Sequence, residues 1–247
     1  MKKPIKKILI GLGIIISLIA IFFVGYMLKA QSEITKMASV ETKRITEDIY
    51  SLQDSFTNLY LIRDSTSYIL IDAGNSLDAV SDELNKLNIN TDQISSILLT
   101  HTDGDHVAAI SLFKNATVYL SKQEEQLLNG KKFRFLFFGN KIATEKYSLI
   151  EDQQVFNIGN IRIKGILTTG HTVGSMCYLV NDKYLFVGDA LSLKDGKIDK
   201  FNNFFNMDTE KATSSMSLVT KIPTAEYIFT AHYGYTNDYK KAVGSWN

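Results

Sequence analysis

The chain contains four histidines, and each follows a segment that reads as a β-strand. His101 comes after SSILLT, His171 after GILTTG and His232 after YIFTA. His106 closes the run His101-Thr102-Asp103-Gly104-Asp105-His106. Asp189 follows YLFVG and Asp72 follows YILI in the same manner. Loops at strand ends, held by a rigid sheet, commonly carry site residues. Imidazoles and carboxylates delivered this way suit a metal centre of nitrogen and oxygen ligands that needs no thiolate. Taken singly, each feature has an ordinary explanation. Asp103-Gly104-Asp105 would serve as a helix cap with a turn, and Asp72-Ala73-Gly74 as a turn after a strand. Those explanations leave open why no histidine occurs anywhere else.

The elements that must position these residues alternate in type. Leu59–Ile62 and Tyr68–Ile71 read as strands of a hairpin across residues 63–67. Ile94–Leu99 is apolar almost throughout, as a buried strand requires. Further strands are expected at Thr117–Leu120, Ile161–Leu167, Met176–Val180, Tyr184–Val187 and Tyr227–Thr230. Helical spacing appears at Leu77–Leu87, Val107–Phe113, Gln123–Leu128, Thr209–Lys221 and Asp238–Val243. Strands mixed with helices throughout mean an α/β or α+β fold, and exclude a bundle or an all-β sandwich. The one cysteine, Cys177, excludes an internal disulfide and a Cys-rich zinc module. It lies in an apolar strand and reads as core.

The amino end differs from the rest. Residues 8–28, ILIGLGIIISLIAIFFVGYML, carry no charge. As a helix they would span ~32 Å, close to the hydrocarbon thickness of a bilayer. Lys2, Lys3, Lys6 and Lys7 precede the run and Lys29 follows it. The positive-inside rule places the amino end in the cytoplasm and the remainder outside. A cleaved signal peptide, giving a secreted protein, is the alternative. The apolar run is longer than such peptides have, and a cut after Ala30 would put Leu28 at a position that wants a small residue. The expected organisation is therefore a Lys-rich start and transmembrane anchor over residues 1–29, a juxtamembrane linker over 30–49, and one domain over 50–247. Beyond residue 30 the chain holds 22 basic and 26 acidic side chains, a balance that disfavours nucleic acid as a partner.

From Tyr50 onward the chain resembles the metallo-β-lactamase superfamily. The resemblance runs through five motifs in order: LIDAG around Asp72, LLTHTDGDH at residues 98–106, TTGHTVGS around His171, LFVGDAL around Asp189 and TAHYG around His232. It implies an αββα sandwich, two mixed β-sheets face to face with helices outside, and metals held by loops at one edge. It also implies two divalent ions, zinc above all. His101, Asp103 and His171 would hold the first, and Asp105, His106 and His232 the second. Asp189 would bridge them. Asp72 would stand behind the ligands and accept hydrogen bonds that fix the His101–His106 loop. Asp105 and Asp189 would be the catalytic carboxylates, with Asp105 also orienting the attacking water.

One position departs from the family pattern, His-x-His-x-Asp-His. Asp103 stands where the second His belongs. A carboxylate ligates zinc at nearly the same distance but is harder and adds a negative charge. Mn²⁺ or Fe²⁺ would then be tolerated at the Asp103 site.

The activity implied is hydrolysis by a metal-activated water, on an ester, lactone, thioester, amide or phosphodiester. A nuclease or phosphodiesterase of the same fold is one alternative, and a non-catalytic surface or sensory protein another. Two aromatic segments stand apart, KKFRFLFFGN at residues 131–140 and FNNFFNM at 201–207. They would wall the metals for an apolar small-molecule substrate, pack as a helix on the sheet, or, for the first segment, touch the membrane. Phe137, Phe138, Phe204, Phe205 and Tyr233 are the candidates for substrate contact.

Overall fold

Strict alternation of side chains along the strands builds three separate apolar layers in the computed structural model, which describes residues 3–244 and 246. The first sheet holds β1 (Lys43–Arg44), β2 (Ile49–Asp54), β3 (Thr57–Asp64), β4 (Ser67–Ile71), β5 (Ile94–Leu98), β6 (Thr117–Ser121) and β7 (Tyr147–Ile150), in that spatial order. The second is built from β8 (Val155–Ile158), β9 (Ile161–Leu167), β10 (Met176–Val180) and β11 (Tyr184–Gly188). After a small ribbon of β12 (Ser192–Lys194) and β13 (Lys197–Asp199), it is completed by β14 (Tyr227–Thr230) and β15 (Tyr235–Thr236). Its spatial order is β15-β14-β11-β10-β9-β8.

Successive residues on a strand face opposite ways. On β3, Tyr60 and Ile62 therefore join the layer between the sheets, with Ile163, Tyr178, Phe186 and Phe229 from the other side. Leu59 and Leu61 face outward against Val80 and Leu84. On β10, Cys177 and Leu179 face outward against Met216, Val219 and Tyr239. The helices covering the outer faces are α2 (Leu77–Lys86), α3 (Gly104–Val107) and α4 (Glu125–Leu128) on the first half, α5 (Thr209–Val219) and α6 (Tyr239–Val243) on the second. The result is an αββα sandwich of two mixed sheets.

Local chemistry sets these helices. Ser76 caps α2 by accepting from the Ala79 amide at 3.3 Å, with Asp78 in the first turn and Lys86 in the last. Asp208 caps α5 through the Lys211 amide at 3.0 Å. Where neighbouring strands are parallel, their carboxyl ends emerge side by side. Ile71 of β4 pairs with Leu98 of β5, and Gly188 of β11 with Thr230 of β14. Asp72 is thereby delivered beside the His101 loop, and Asp189 beside His232.

The chain divides into two units at Met37–Ala38. The first contains α1 (Lys3–Ile34), which among the described residues is the one helix long and apolar enough to cross a membrane. Lys2 and the side chains of Lys3 and Lys6 lie outside the described residues.

Several elements differ from the sequence expectation. The second unit starts at Ala38, so residues 38–49 are part of it and not linker. The Val40 amide donates to Asn58 Oδ1 at 2.6 Å, and β1 pairs with β2. The helix expected over Val107–Phe113 is instead α3 followed by a 3₁₀ turn at Ile110–Leu112. The amides of Ala108 and Ala109 donate to Gly74 and Ala73, each at 2.9 Å, which removes them from a helical ladder. Residues 131–140 form a tight turn closed by Phe135 and Phe138, not a packed helix.

Candidate metal centre

Four imidazoles are fixed by their outer nitrogens. His101 Nδ1 lies 3.1 Å from Thr100 Oγ1, and His106 Nδ1 lies 2.9 Å from Asp72 Oδ2. His171 Nδ1 lies 3.2 Å from Asn206 Oδ1, and His232 Nδ1 lies 2.9 Å from the Phe56 carbonyl. A partner on one ring nitrogen sets which nitrogen a metal would take. All four Nε2 atoms consequently converge on Asp189. Its Oδ2 lies 3.4 Å from His171 Nε2 and 3.9 Å from His101 Nε2. Its Oδ1 lies 3.2 Å from His232 Nε2 and 3.8 Å from His106 Nε2. Asp103 Oδ2 completes the first group, 3.2 Å from His171 and 3.6 Å from His101. Asp105 Oδ2 completes the second, 3.4 Å from His232 and 3.6 Å from His106.

These spacings fit metal ions. Tetrahedral ligands at the usual zinc distances lie about 3.3 Å apart. Within each of the groups His101–Asp103–His171, His101–His106–Asp189 and Asp105–His106–His232, the donor atoms all lie within 4.8 Å of one another. His101 Nε2, His106 Nε2 and Asp189 Oδ1 are buried and make no hydrogen bond among the described residues. Buried polar atoms are otherwise almost always paired, so three converging orphans fit a cation-binding role.

The electrostatics agree. Burial, aided by the charges of His106 and His171, holds His101 well below the usual imidazole range. Burial would also lower His106, but Asp105, Asp72 and Asp189 override it and push that imidazole up to about 10. Asp189 is held below its ordinary range because His232, His106 and His171 outweigh its burial. A carboxylate surrounded by imidazoles is thus ionised and ready for cations.

Behind the ligands two buried carboxylates hold the loops. Asp72 accepts from the Thr100 amide at 2.7 Å and the Thr100 hydroxyl at 2.8 Å, besides facing His106. It sits at φ 59, a left-handed conformation that costs a non-glycine residue energy and persists where its surroundings impose it. Glu124 was not marked by the sequence reading. Its Oε1 accepts from the amide and hydroxyl of Thr102 at 2.8 and 2.7 Å. Its Oε2 accepts from the Thr172 hydroxyl at 2.6 Å and the Gly174 amide at 3.1 Å. One carboxylate therefore ties the His101 loop to the His171 loop. A Cβ at Gly174 would overlap the Glu124 backbone, so only glycine permits this approach. The available signal was position: Glu124 follows the end of β6, where it reads equally as a first-turn helix charge.

Arg134 was read from sequence only as a basic residue of the segment that would touch the membrane. It reaches from the aromatic segment to Asp103, as does Asn140, whose Nδ2 donates to Asp103 Oδ1 at 2.9 Å. The aromatic candidates are divided. Phe137 and Phe138 are 69% and 59% exposed at the tip of the turn. The Phe205 carbonyl accepts from Arg134, and Phe204 packs edge-on against Phe205 at 5.1 Å. Phe201, not singled out within its segment, lies edge-on to His171 at 5.0 Å and 6.1 Å from the Tyr233 ring. Cys177 is buried beside Thr168, and burial pushes its thiol up to about 12, so it is inert core.

Fold and ligand geometry together define a metallo-hydrolase scaffold, and the chain belongs to the metallo-β-lactamase superfamily, whose profile matches residues 52–232. Among curated proteins it is similar to the probable polyketide biosynthesis zinc-dependent hydrolase BaeB of Bacillus velezensis, 36% identical over 137 residues. That match covers 53% of this chain and 54% of BaeB. It is also similar to the probable metallo-hydrolase MJ0296 of Methanocaldococcus jannaschii, 29% identical over 151 residues, covering 61% of this chain and 63% of that protein. The chain thus spans little more than half the length of the curated relatives it matches. Among solved structures, a B3 metallo-β-lactamase with an active-site glutamic acid superposes with a TM-score of 0.66 at 18% identity. The superposition covers 88% of this chain and 89% of that one, a likeness of fold.

Proposed function

We propose that the protein is a membrane-anchored, outward-facing hydrolase that uses two divalent ions, zinc first, on a small-molecule ester, lactone, thioester, amide or phosphodiester. The observation that carries this is the convergence of His101 Nε2, His106 Nε2 and Asp189 Oδ1, buried and unpartnered. His101, Asp103 and His171 would hold one ion, Asp105, His106 and His232 the other, with Asp189 between them. When bound, such ions supply a nucleophilic water near neutral pH and polarise the substrate oxygen. Asp105, whose side chain is 24% exposed, would orient that water as well as ligate. The name of BaeB, a zinc-dependent hydrolase, supports both the metal and the use of water. Helix α1 and the lysines before its apolar run support anchoring with residues 38–247 outside the cytoplasm.

The test is a metal-stripped and zinc-reconstituted assay panel covering those five substrate classes and a β-lactam. The expected result is turnover of at least one class that chelation abolishes and zinc restores. Full zinc occupancy with no turnover in any class would favour a non-catalytic surface protein.

A further inference from the structure

Arg134 pairs directly with one half of the centre. Its Nε lies 2.8 and 2.9 Å from Asp103 Oδ1 and Oδ2, and its Nη2 lies 2.6 Å from Oδ2. The same Nη2 donates to the Phe205 carbonyl at 2.7 Å and approaches His171 Nε2 at 3.5 Å. The Arg134 and Asp103 side chains are only 20% and 17% exposed, so water screens the pair poorly. Among the described residues no lysine or arginine pairs with Asp105 in the second group; its ion-pair partners are His106 and His232.

Two demands therefore meet on Asp103 Oδ2. It faces His101 and His171, as a ligand of an ion between them would. It also accepts from a guanidinium that cannot lose its proton. Without metal, Arg134 supplies the partner that a largely buried carboxylate requires. With metal, the ion must share that oxygen and sit a few ångströms from a fixed positive charge, where the local dielectric is low. The second group has no such fixed cation on its carboxylate.

We propose that Arg134 makes the His101–Asp103–His171 site the weaker and later-filling one. At limiting metal the protein then carries one ion, on Asp105, His106 and His232, and takes the second only as free metal rises. This rests on the reading that the centre binds divalent ions.

The full-length chain in detergent micelles is titrated with Zn²⁺ against a chromophoric chelator, and with Co²⁺ followed by its visible absorption. The wild type is expected to fill in two steps at least about tenfold apart. His171→Ala should remove the weaker step and His232→Ala the tighter one. Arg134→Met should tighten the weaker step by about tenfold or more, and Arg134→Lys should restore the separation. Simultaneous filling in the wild type, or loss of the weaker step in His232→Ala, would overturn the proposal even if Arg134→Met does not fold. So would an Arg134→Met chain whose first-group step is unchanged or weaker, because Arg134 would then only position Asp103. Absence of any Zn²⁺ uptake by the wild type would instead bring down the metal reading beneath it.

Discussion

Asp72 Oδ2 and His106 Nδ1 lie 2.9 Å apart, in side chains that are 2% and 0% exposed. The same carboxylate holds the Thr100 amide and hydroxyl, so a single residue fixes both ends of the His101–His106 loop. Partners of this kind typically contribute 10–100-fold to metal affinity. Asp72→Ala is expected to weaken Zn²⁺ binding by about that factor, read by chelator competition, while far-UV circular dichroism stays near that of the wild type. Unchanged affinity would remove Asp72 from the site.

Glu124 is expected to matter as much for stability. Glu124→Ala strips four hydrogen bonds, strands the buried Thr102 amide and hydroxyl, and leaves the Gly174 amide only the Thr172 hydroxyl at 3.3 Å. Each stranded group costs about 1–3 kcal/mol. A total loss of about 3 kcal/mol lowers Tm by roughly 6–12 °C for a domain of this size. Glu124→Gln keeps acceptors on one side only and should fall between. Thermal denaturation of the three proteins checks the order.

Proton release should accompany metal uptake. In the metal-free fold His106 is pushed from an ordinary 6.5 up to about 10, so it is protonated at neutral pH. Its pKa is higher folded than unfolded. The stability it contributes is therefore complete below about 6.5 and is lost as pH rises through about 10. Zinc takes a neutral imidazole, so binding must displace that proton. Calorimetry at pH 7.5 in buffers of different ionisation enthalpy should report at least one proton released per centre. The Tm of the metal-free chain should fall between pH 7 and 10 more steeply than that of the zinc-loaded chain.

The two groups of ligands should not be equally important for turnover. His106→Ala and His232→Ala are each expected to lower kcat/KM by more than about 100-fold, beyond the effect of residues behind the ligands. Asp103→Ala should cost less, since its site is the one that departs from the family pattern. Equal losses in all three variants would show that both sites are needed for the chemistry. The comparison requires a substrate from the reconstituted panel.

Orientation can be read directly. Protease added to intact spheroplasts or protoplasts should remove residues 38–247 and leave a stub containing α1. Protection of the whole chain would reverse the topology. Release of a soluble domain beginning near Gln31 would identify a cleaved signal peptide.

Much of this molecule is legible in its sequence because strands and ligands are local signals. β10 and β14 are written as apolar runs and β5 and β9 as apolar positions interrupted by polar ones, and His101, His171 and His232 sit just behind β5, β9 and β14. That alternation gives an α/β or α+β fold, and the pairing of two facing sheets is what the family resemblance adds. What escaped was non-local or short. β7, β8, β12 and β13 carry mixed polar residues at half-exposed positions and have no period to read. The break after α3 depends on the Ala73 and Gly74 carbonyls, some 35 residues upstream. Glu124 and Arg134 are single charges whose significance lies in partners 22 and 31 positions away in sequence. No window of sequence contains both members of either pair. Only the closing of the fold brings them together.

The ligands are divided between the two sheets. His101, Asp103, Asp105 and His106 precede the second sheet entirely, whereas His171, Asp189 and His232 follow strands within it. Neither half of the chain carries all seven candidate donors alone. As synthesis proceeds from the amino end, the first four donors emerge long before the last, His232. Were the centre to take two ions, its full occupancy would report that the two sheets have met.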